Sequence, residues 1–316
     1  MPQVSVLLLT YNSDPTALRR ALTAIAQQKE VDLEVIISDD GSVKKDFSFL
    51  PDFMAEAGIS QWKLLENPEN RGTVFNCLAA AEAATGTYTF TTSPGDFLFD
   101  QFVLRDFYRF AQKHDCALCF GNAVYYSCTD SKPEHSRLFG QPLRPQHYAV
   151  GAPRWKSKTA FFSGDWVVGA CYFYKLPCLL ESLKAIAGKI IYTEDTPTTM
   201  LFMAQGYPLC YYDRNMVWYE HGTGISTSGS SKWDRLVLED LHAGYRLLKE
   251  RFPKDPYIDY AHRHALQAPG WRRSVGNFLR HPLIMLRLRL LQKAPKKEAV
   301  CTAADWKRLE TLLEIQ

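Results

Sequence analysis

Two acids stand side by side at Asp39 and Asp40, between the run Val35-Ile36-Ile37-Ser38 and the pair Gly41-Ser42. An unbroken β-branched run predicts a strand buried on both faces, and the glycine after it predicts the chain turning out of that strand. Adjacent carboxylates repel each other and are costly to bury, yet the C-terminal edge of such a strand is where open α/β sheets bind ligands. An ionised carboxylate only accepts hydrogen bonds, so the pair suits a ligand carrying N–H and O–H donors. The competing reading is a solvated turn whose acids accept from the backbone. Cys116 and Cys119 form one C-x-x-C among eight cysteines, but no second pair follows at zinc spacing, and the apolar setting predicts a core strand. No G-x-G-x-x-G follows a strand and no G-x-x-x-x-G-K-[ST] occurs, which removes the dinucleotide fingerprint and the Walker loop.

The elements that must position these acids alternate in type. Val4 to Leu9 is a buried-strand run; Asp14 then serves as N-cap with Pro15 at the first helical position, and Leu18, Leu22 and Ile25 recur at helical spacing through Gln28. Leu33 to Ser38 and Trp62 to Glu66 are the second and third strands. An alanine-rich helix spans Thr73 to Ala84, closed by Gly86, and Tyr88 to Thr92 is the fourth strand. This order predicts a Rossmann-like, mostly parallel α/β sheet with helices on both faces. Beyond it the pattern predicts a helix from Gln101 to Lys113 and strands at Cys116–Phe120 and Ala123–Tyr126. The interval 127–163 reads as long loops, Leu179–Ala187 and Thr196–Ala204 as helices, and Trp233–Phe252 as an amphipathic helix.

Thr10-Tyr11-Asn12 ending the first strand, Ser38-Asp39-Asp40-Gly41-Ser42, Asn70-Arg71-Gly72, Gly86-Thr87-Tyr88 leading to Asp96, and Glu194-Asp195 together resemble family 2 glycosyltransferases. The resemblance covers roughly residues 3 to 226 and implies a GT-A fold, a nucleotide-diphosphate-sugar donor and inversion at the anomeric carbon. It implies donor contacts from Thr10, Tyr11, Asn12, Asp39, Asp40, Arg71 and Asp96. Asp39 and Asp40 would accept from a uracil imide and ribose hydroxyls. Tyr11 would pack on the base or else fill the core, and Arg71 would meet the diphosphate or else lie on the surface. Relatives place an Asp-x-Asp after the fourth strand to hold a divalent cation; here the aligned run is Thr92-Ser93-Pro94-Gly95-Asp96, leaving one acid. Asp96 is either a ligand for Mg²⁺ or Mn²⁺, which need few protein ligands, or the acceptor of a tight turn. Asp195 is implied as the catalytic base, with Glu194 orienting the acceptor or raising its neighbour's pKa; the rival role for Asp195 is a helix N-cap. Trp218 to Ser226 looks like the loop that closes over the diphosphate, with His221 near phosphate or metal, and Asp165-Trp166 falls where acceptors bind in relatives.

The chain has 316 residues, 46% hydrophobic, with a formal charge of +3, an ordinary globular composition. Arg272 to Lys297 holds eight Lys or Arg and no acid, mixed with leucines, and Pro282 interrupts it. Two readings stand for this segment: a cationic helix on an anionic membrane, or a terminal helix packed on the body. The N-terminus lacks a basic n-region, the cysteines suit a reducing cytosol, and no run is long enough to span a bilayer. Expected, then, are residues 1–228 as a GT-A domain, residues 229–316 as a helical extension, and a location in the cytoplasm, at the inner face of the membrane. The expected partners are a UDP-sugar and a growing polysaccharide or lipid-linked glycan, with no nucleic acid. The rival is a degenerate GT-A domain that binds sugar nucleotide, or scaffolds at a membrane, without catalysis.

Overall fold

The computed structural model describes residues 1–129, 132–222, 230–267, 270–295 and 297–315. The first half runs β1 (Val4–Thr10), α1 (Pro15–Ala26), β2 (Leu33–Asp39), α2 (Leu50–Glu56), β3 (Trp62–Glu66), α3 (Thr73–Ala83), β4 (Tyr88–Thr92), β5 (Asp96–Leu98), α4 (Val103–Lys113), β6 (Leu118–Thr129) and β7 (Lys132–Gly140). The second half runs α5 (Arg154–Phe162), β8 (Tyr172–Lys175), α6 (Leu176–Ile186), α7 (Asp195–Gln205), β9 (Leu209–Glu220), α8 (Ser231–Arg251), α9 (Pro256–Leu266), α10 (Trp271–Arg280), α11 (Pro282–Leu290) and α12 (Ala303–Leu313).

The strands lie in one sheet, ordered β3-β2-β1-β4-β8-β6-β9-β5, with β7 paired on β6. β3, β2, β1 and β4 are parallel throughout, so Thr10, Asp39 and Thr92 end at one edge. β8 enters antiparallel between β4 and β6, and β5 is antiparallel to β9. Alternation along β1 shows why two helical layers are needed. Val4, Val6 and Leu8 join a core with Leu18 and Leu22 of α1, while Leu7 and Leu9 join a second core with Val74 of α3. Asp14 caps α1 by accepting from Thr16 N (2.8 Å) and Ala17 N (3.2 Å), with Pro15 pre-set for the first turn.

Several expectations are corrected. Cys116–Phe120 and Ala123–Tyr126 are not two strands: β6 runs through both, and register shifts against β9 around Asn122 absorb the irregularity. Gly121 is there for space rather than for a turn, since a Cβ would lie 2.5 Å from the Phe107 ring and 2.7 Å from Arg214 O. The interval 127–163 is loop only in part. It completes β6, returns as β7 through main-chain pairing that a polar, Pro-containing sequence does not advertise, and then forms α5. Gly86 does not cap α3, which ends at Ala83; it lets the chain cross β1, where a Cβ would come 2.6 Å from Ser5 Oγ. Cys116 and Cys119 are buried in the core as free thiols, and Pro282 splits the basic segment into α10 and α11 after His281. In 229–316, α8, α9 and α11 pack on the α3 face of the sheet, and α12 returns to the α1 face.

The crossing at Gly86 carries a buried charge. Glu34 accepts from Ser5 Oγ (2.6 Å), Thr85 N (2.5 Å), Thr85 Oγ1 (2.9 Å) and Gly86 N (3.0 Å). Burial alone would raise its pKa, but these donors outweigh it and hold the carboxyl below its ordinary 4.5. A depressed carboxyl stabilises the fold above its unfolded pKa and loses that contribution as pH falls through the folded value. Glu34→Gln is therefore expected to lower the urea midpoint at pH 7, with the gap to the parent narrowing below about pH 4; a pH-independent gap would contradict this.

Candidate active site

The end of β2 is tied to its neighbours before any ligand is considered. Asp39, fully buried, accepts from Ser42 Oγ and from Ser42 N (2.9 Å), with the Lys45 ammonium 3.8 Å away. Asn12, in the left-handed region at φ 47°, donates its N–H to Ser42 Oγ (2.6 Å) and accepts from Val43 N at 3.1 Å. Asp40 receives Arg71 N at 3.0 Å and Gly72 N at 2.8 Å, and its own N–H donates to Thr10 O at 2.9 Å. Both acids thus accept from main-chain N–H groups, and they shape the crevice wall by holding turns. Tyr11 is half exposed at this edge rather than in the core, and the exposed Arg71 guanidinium lies over the Phe75 ring at 3.7 Å.

Asp96 opens β5 directly after the turn Ser93–Asp96. Its N–H donates to Ser93 O (3.0 Å) and its carboxylate accepts from Ser93 Oγ (3.0 Å). β5 lies against the end of β9, where Asp96 faces Tyr219 and Glu220 comes next. Glu220 Oε2 lies 3.7 Å from where a Cβ on Gly95 would sit. Burial, and then the Glu220 carboxylate, push the Asp96 carboxyl up to about 7 against the opposing Ser93 bond. Two neighbouring carboxylates with a proton to lose suit a hard divalent cation. Among the described residues, however, no three His, Cys, Asp or Glu side chains gather as a metal site. His221, expected near metal, is exposed; its ring stands 6.0 Å from that of Tyr125, and its N–H donates to Tyr126 O at 2.8 Å.

Glu194 and Asp195 begin α7, with Glu194 in the N-cap position making no side-chain cap bond and Asp195 the first helical residue. Asp195 Oδ1 accepts from Thr196 N at 2.6 Å, and its carboxylate rests on Gly169, where a Cβ would come 2.2 Å from Oδ2. Burial raises the Asp195 carboxyl despite that bond and the helix N-terminus. Burial, then the Asp195 charge, push Glu194 up to about 8. Gly169 precedes β8, whose entry between β4 and β6 brings Asp195 to the edge that carries Thr10 and Asp39. Burial, and then the charges of Asp96 and Asp195, raise the Cys171 thiol and the Tyr172 hydroxyl respectively.

The loop before this pair is held from α8. Asp240, buried, accepts from Ile191 N (3.1 Å), Tyr192 N (2.6 Å) and Thr193 N (3.0 Å). Ile191 O accepts from Val74 N at 3.0 Å, and Gly72, at φ 91°, lets the chain pass where a Cβ would come 2.4 Å from Ile191. Sequence reasoning misses Asp240 and Gly169, and takes in Gly72 and Glu220 only as members of longer motifs, without a role of their own. For Asp240 the signal exists: it shares the buried stripe of α8 with Gly244, Leu247 and Leu248, where an acid needs a partner. For Gly169 there is none. The Asp165 carboxylate is buried, accepts from Leu143 N at 2.5 Å, and is raised by burial to about 6, while Trp166 is 38% exposed. The segment Trp218–Ser226 is corrected in part: Trp218 to Glu220 are strand, and Trp218 is fully buried, stacked on Phe99. Residues 223–226 lie outside the described residues.

Residues 5–175, more than half of the chain, match the model of glycosyl transferase family 2. A search of curated protein sequences gave no match. Among solved structures, S. aureus TarS 1–349 in complex with UDP is similar at TM-score 0.56 and 14% identity, over 88% of this chain and 75% of that one. The same protein with UDP-GlcNAc gives TM-score 0.54 at 15% identity, over 99% and 90%. The mannosyltransferase PcManGT from Pyrobaculum calidifontis, in complex with GDP-Man and Mn²⁺, gives 0.52 at 16% identity, over 99% and 85%. These likenesses place the fold among GT-A glycosyltransferases.

Removing Asp240 leaves three main-chain donors without their acceptor. Asp240→Ala is expected to cost about 2 kcal/mol or more of stability and to speed amide exchange at Ile191, Tyr192 and Thr193. Asp240→Asn, which keeps one acceptor oxygen, is expected to lose less. Urea denaturation and residue-resolved hydrogen exchange check both.

Proposed function

The chain belongs to glycosyl transferase family 2, and from that premise we propose that it moves a hexose, with inversion, from a UDP-sugar to a hydroxyl of a growing cell-surface polysaccharide or lipid-linked glycan. The observation that carries the reading is the half-buried Glu194–Asp195 pair, with Asp195 seated on Gly169 at the sheet edge shared with Thr10 and Asp39. In the reaction the acceptor O–H gives its proton to Asp195 as the oxygen bonds to the anomeric carbon. The bond from that carbon to the diphosphate oxygen breaks, and its electron pair leaves with UDP. Glu194 orients the acceptor and shares the pair's proton.

The donor's nucleoside lies against the half-exposed Tyr11 and the ends of β1 and β2 at Thr10 and Asn12. Its imide and ribose hydroxyls are received by Asp40 and by Asp39, the latter in exchange for its Lys45 contact at 3.8 Å. Arg71, at the start of α3, meets the diphosphate together with the helix N–H groups. Asp96, with Glu220 beside it, is the place for Mg²⁺ or Mn²⁺. A cation there would neutralise charge developing on the leaving diphosphate. UDP and GDP-Man with Mn²⁺ in the similar structures support a nucleotide-sugar donor.

No described helix is long and apolar enough to cross a membrane. α10 exposes Trp271, Val275, Phe278 and Leu279, and α11 exposes Leu283, Leu286 and Leu290, each set at helical spacing. With exposed Arg272 and Arg289 among them, these faces suit peripheral contact with an anionic membrane, at its cytoplasmic face. A sugar-nucleotide-binding domain without catalysis is the second reading, favoured by the single acid left of the metal triplet.

UDP release, measured with UDP-, GDP- and dTDP-sugars with and without Mn²⁺ or EDTA, separates the two. Asp195→Asn is expected to lower kcat by about 10²–10⁴ with a small change in donor KM, and an unchanged kcat would end the catalytic reading. Because the base acts only after losing its proton, and burial raises the Asp195 carboxyl above its ordinary value, turnover is expected to climb as pH rises through that raised value. Glu194→Gln should move that limb to lower pH. EDTA is expected to cut turnover in the parent, and Asp96→Ala to blunt its recovery with Mn²⁺.

A further inference from the structure

At the far end of α7 from Asp195 lies a cavity of about 260 Å³, walled by α5, α9 and α11 as well. Eleven helical residues at 1.5 Å each put it about 16 Å from the proposed base. That distance rules out contact with the reacting bond and matches the span of a short glycan. Three cations face the cavity. Lys158 is matched by Asp255, with which it forms a close ion pair. Arg154 and Arg287 have no carboxylate within ion-pair distance among the described residues. Arg287 Nη1 instead donates to Tyr257 Oη at 2.7 Å, and its guanidinium lies 5.5 Å above the Trp155 ring. The Arg154 guanidinium lies on Gly206, the left-handed residue that ends α7, where a Cβ would come 2.0 Å from Nη2. A side chain at position 206 would evict it.

Two guanidiniums without a counter-ion at one concave site call for an anion, and the planar fork of arginine matches phosphate oxygens in pairs. Trp155 and Tyr207, beside Ser157 and Met203, add aromatic faces that suit a sugar ring. The outer side of α11, which supplies Arg287, is the one that exposes Leu283, Leu286 and Leu290. We propose that this cavity binds a lipid-borne phosphate ester, the phosphate end of a membrane-carried acceptor whose growing end reaches Asp195. The acceptor part rests on the function proposed above; binding at the cavity does not.

The test is binding without donor, so its failure and a failure of catalysis are read apart. The full chain is titrated calorimetrically with hexose 1-phosphate, and is co-sedimented with phosphatidylcholine vesicles with and without phosphatidylglycerol. Arg154→Ala is the informative variant, because Arg154 is exposed and its loss leaves no buried group unpaired; Arg287→Ala is the second, with melting curves confirming the fold. Saturable hexose 1-phosphate binding, weakened at least tenfold in Arg154→Ala and poorly restored by Arg154→Lys, supports the site with the acceptor as source. Binding to phosphatidylglycerol vesicles alone, weakened likewise, supports the site with a bilayer headgroup as source. No saturable binding to either, or equal affinity in Arg154→Ala, overturns it.

Discussion

Two buried carboxylates that accept main-chain N–H groups hold the candidate site together. Asp40 fixes the turn at Arg71 and Gly72, and Asp240 fixes Ile191 to Thr193. Between them the chains touch directly, through Val74 N to Ile191 O and the missing side chain of Gly72. A path of hydrogen bonds to main-chain groups therefore joins the end of β2 to α8, and Glu194 and Asp195 follow directly after its last member, Thr193. Buried acids are costly unless satisfied, and each of these is satisfied by donors that would otherwise be orphaned in a loop. That economy explains how irregular segments far apart in sequence hold a fixed geometry.

The buried and half-buried carboxylates of the sheet divide by what faces them, Glu34 at its opposite edge included. Asp40 and Glu34 meet main-chain donors. Asp96, Glu194 and Asp195 have fewer donors for the burial they suffer, and burial leads their upward shifts. A group that holds its proton near neutrality is poised to exchange it, and such groups cluster where chemistry is done. Carboxylates on one sheet are thus sorted into scaffold and reagent by their hydrogen-bond partners.

The parallel block β3-β2-β1-β4 is legible in the sequence because its strands are covered on both faces and read as apolar runs. β5, β8 and β9 are not. Asp96–Leu98 is too short to show a period, and Asp213 to Asn215 interrupt β9 with polar residues, so pairing across the sheet defines both. α9 and α12 carry cap signals, Asp255 before Pro256 and Thr302 with Asp305, that announce helices locally. Asp39, Asp40 and Asp195 can be picked out from their place at element ends. What they touch cannot: Asp40 acts on residues 31 positions away, and the Asp195–Gly169 contact depends on where β8 inserts. Register and close approach are tertiary facts, and single residues do not encode them.

The last described helix has a consequence for how the molecule comes to be. α12 fills the core beside α1: Leu309, Leu312 and Leu313 join Leu18 and Leu22, Trp306 packs on Trp218, and Arg20 Nε donates to Ile315 O at 2.9 Å. That bond spans 295 residues. During synthesis the side of α1 that meets α12 waits for residues 303–313 before its cover exists, and closing so long a loop is an entropic cost met late. Final compaction is therefore coupled to completion of residues 303–313, and a nascent chain stopped short of them keeps an apolar face open to other chains.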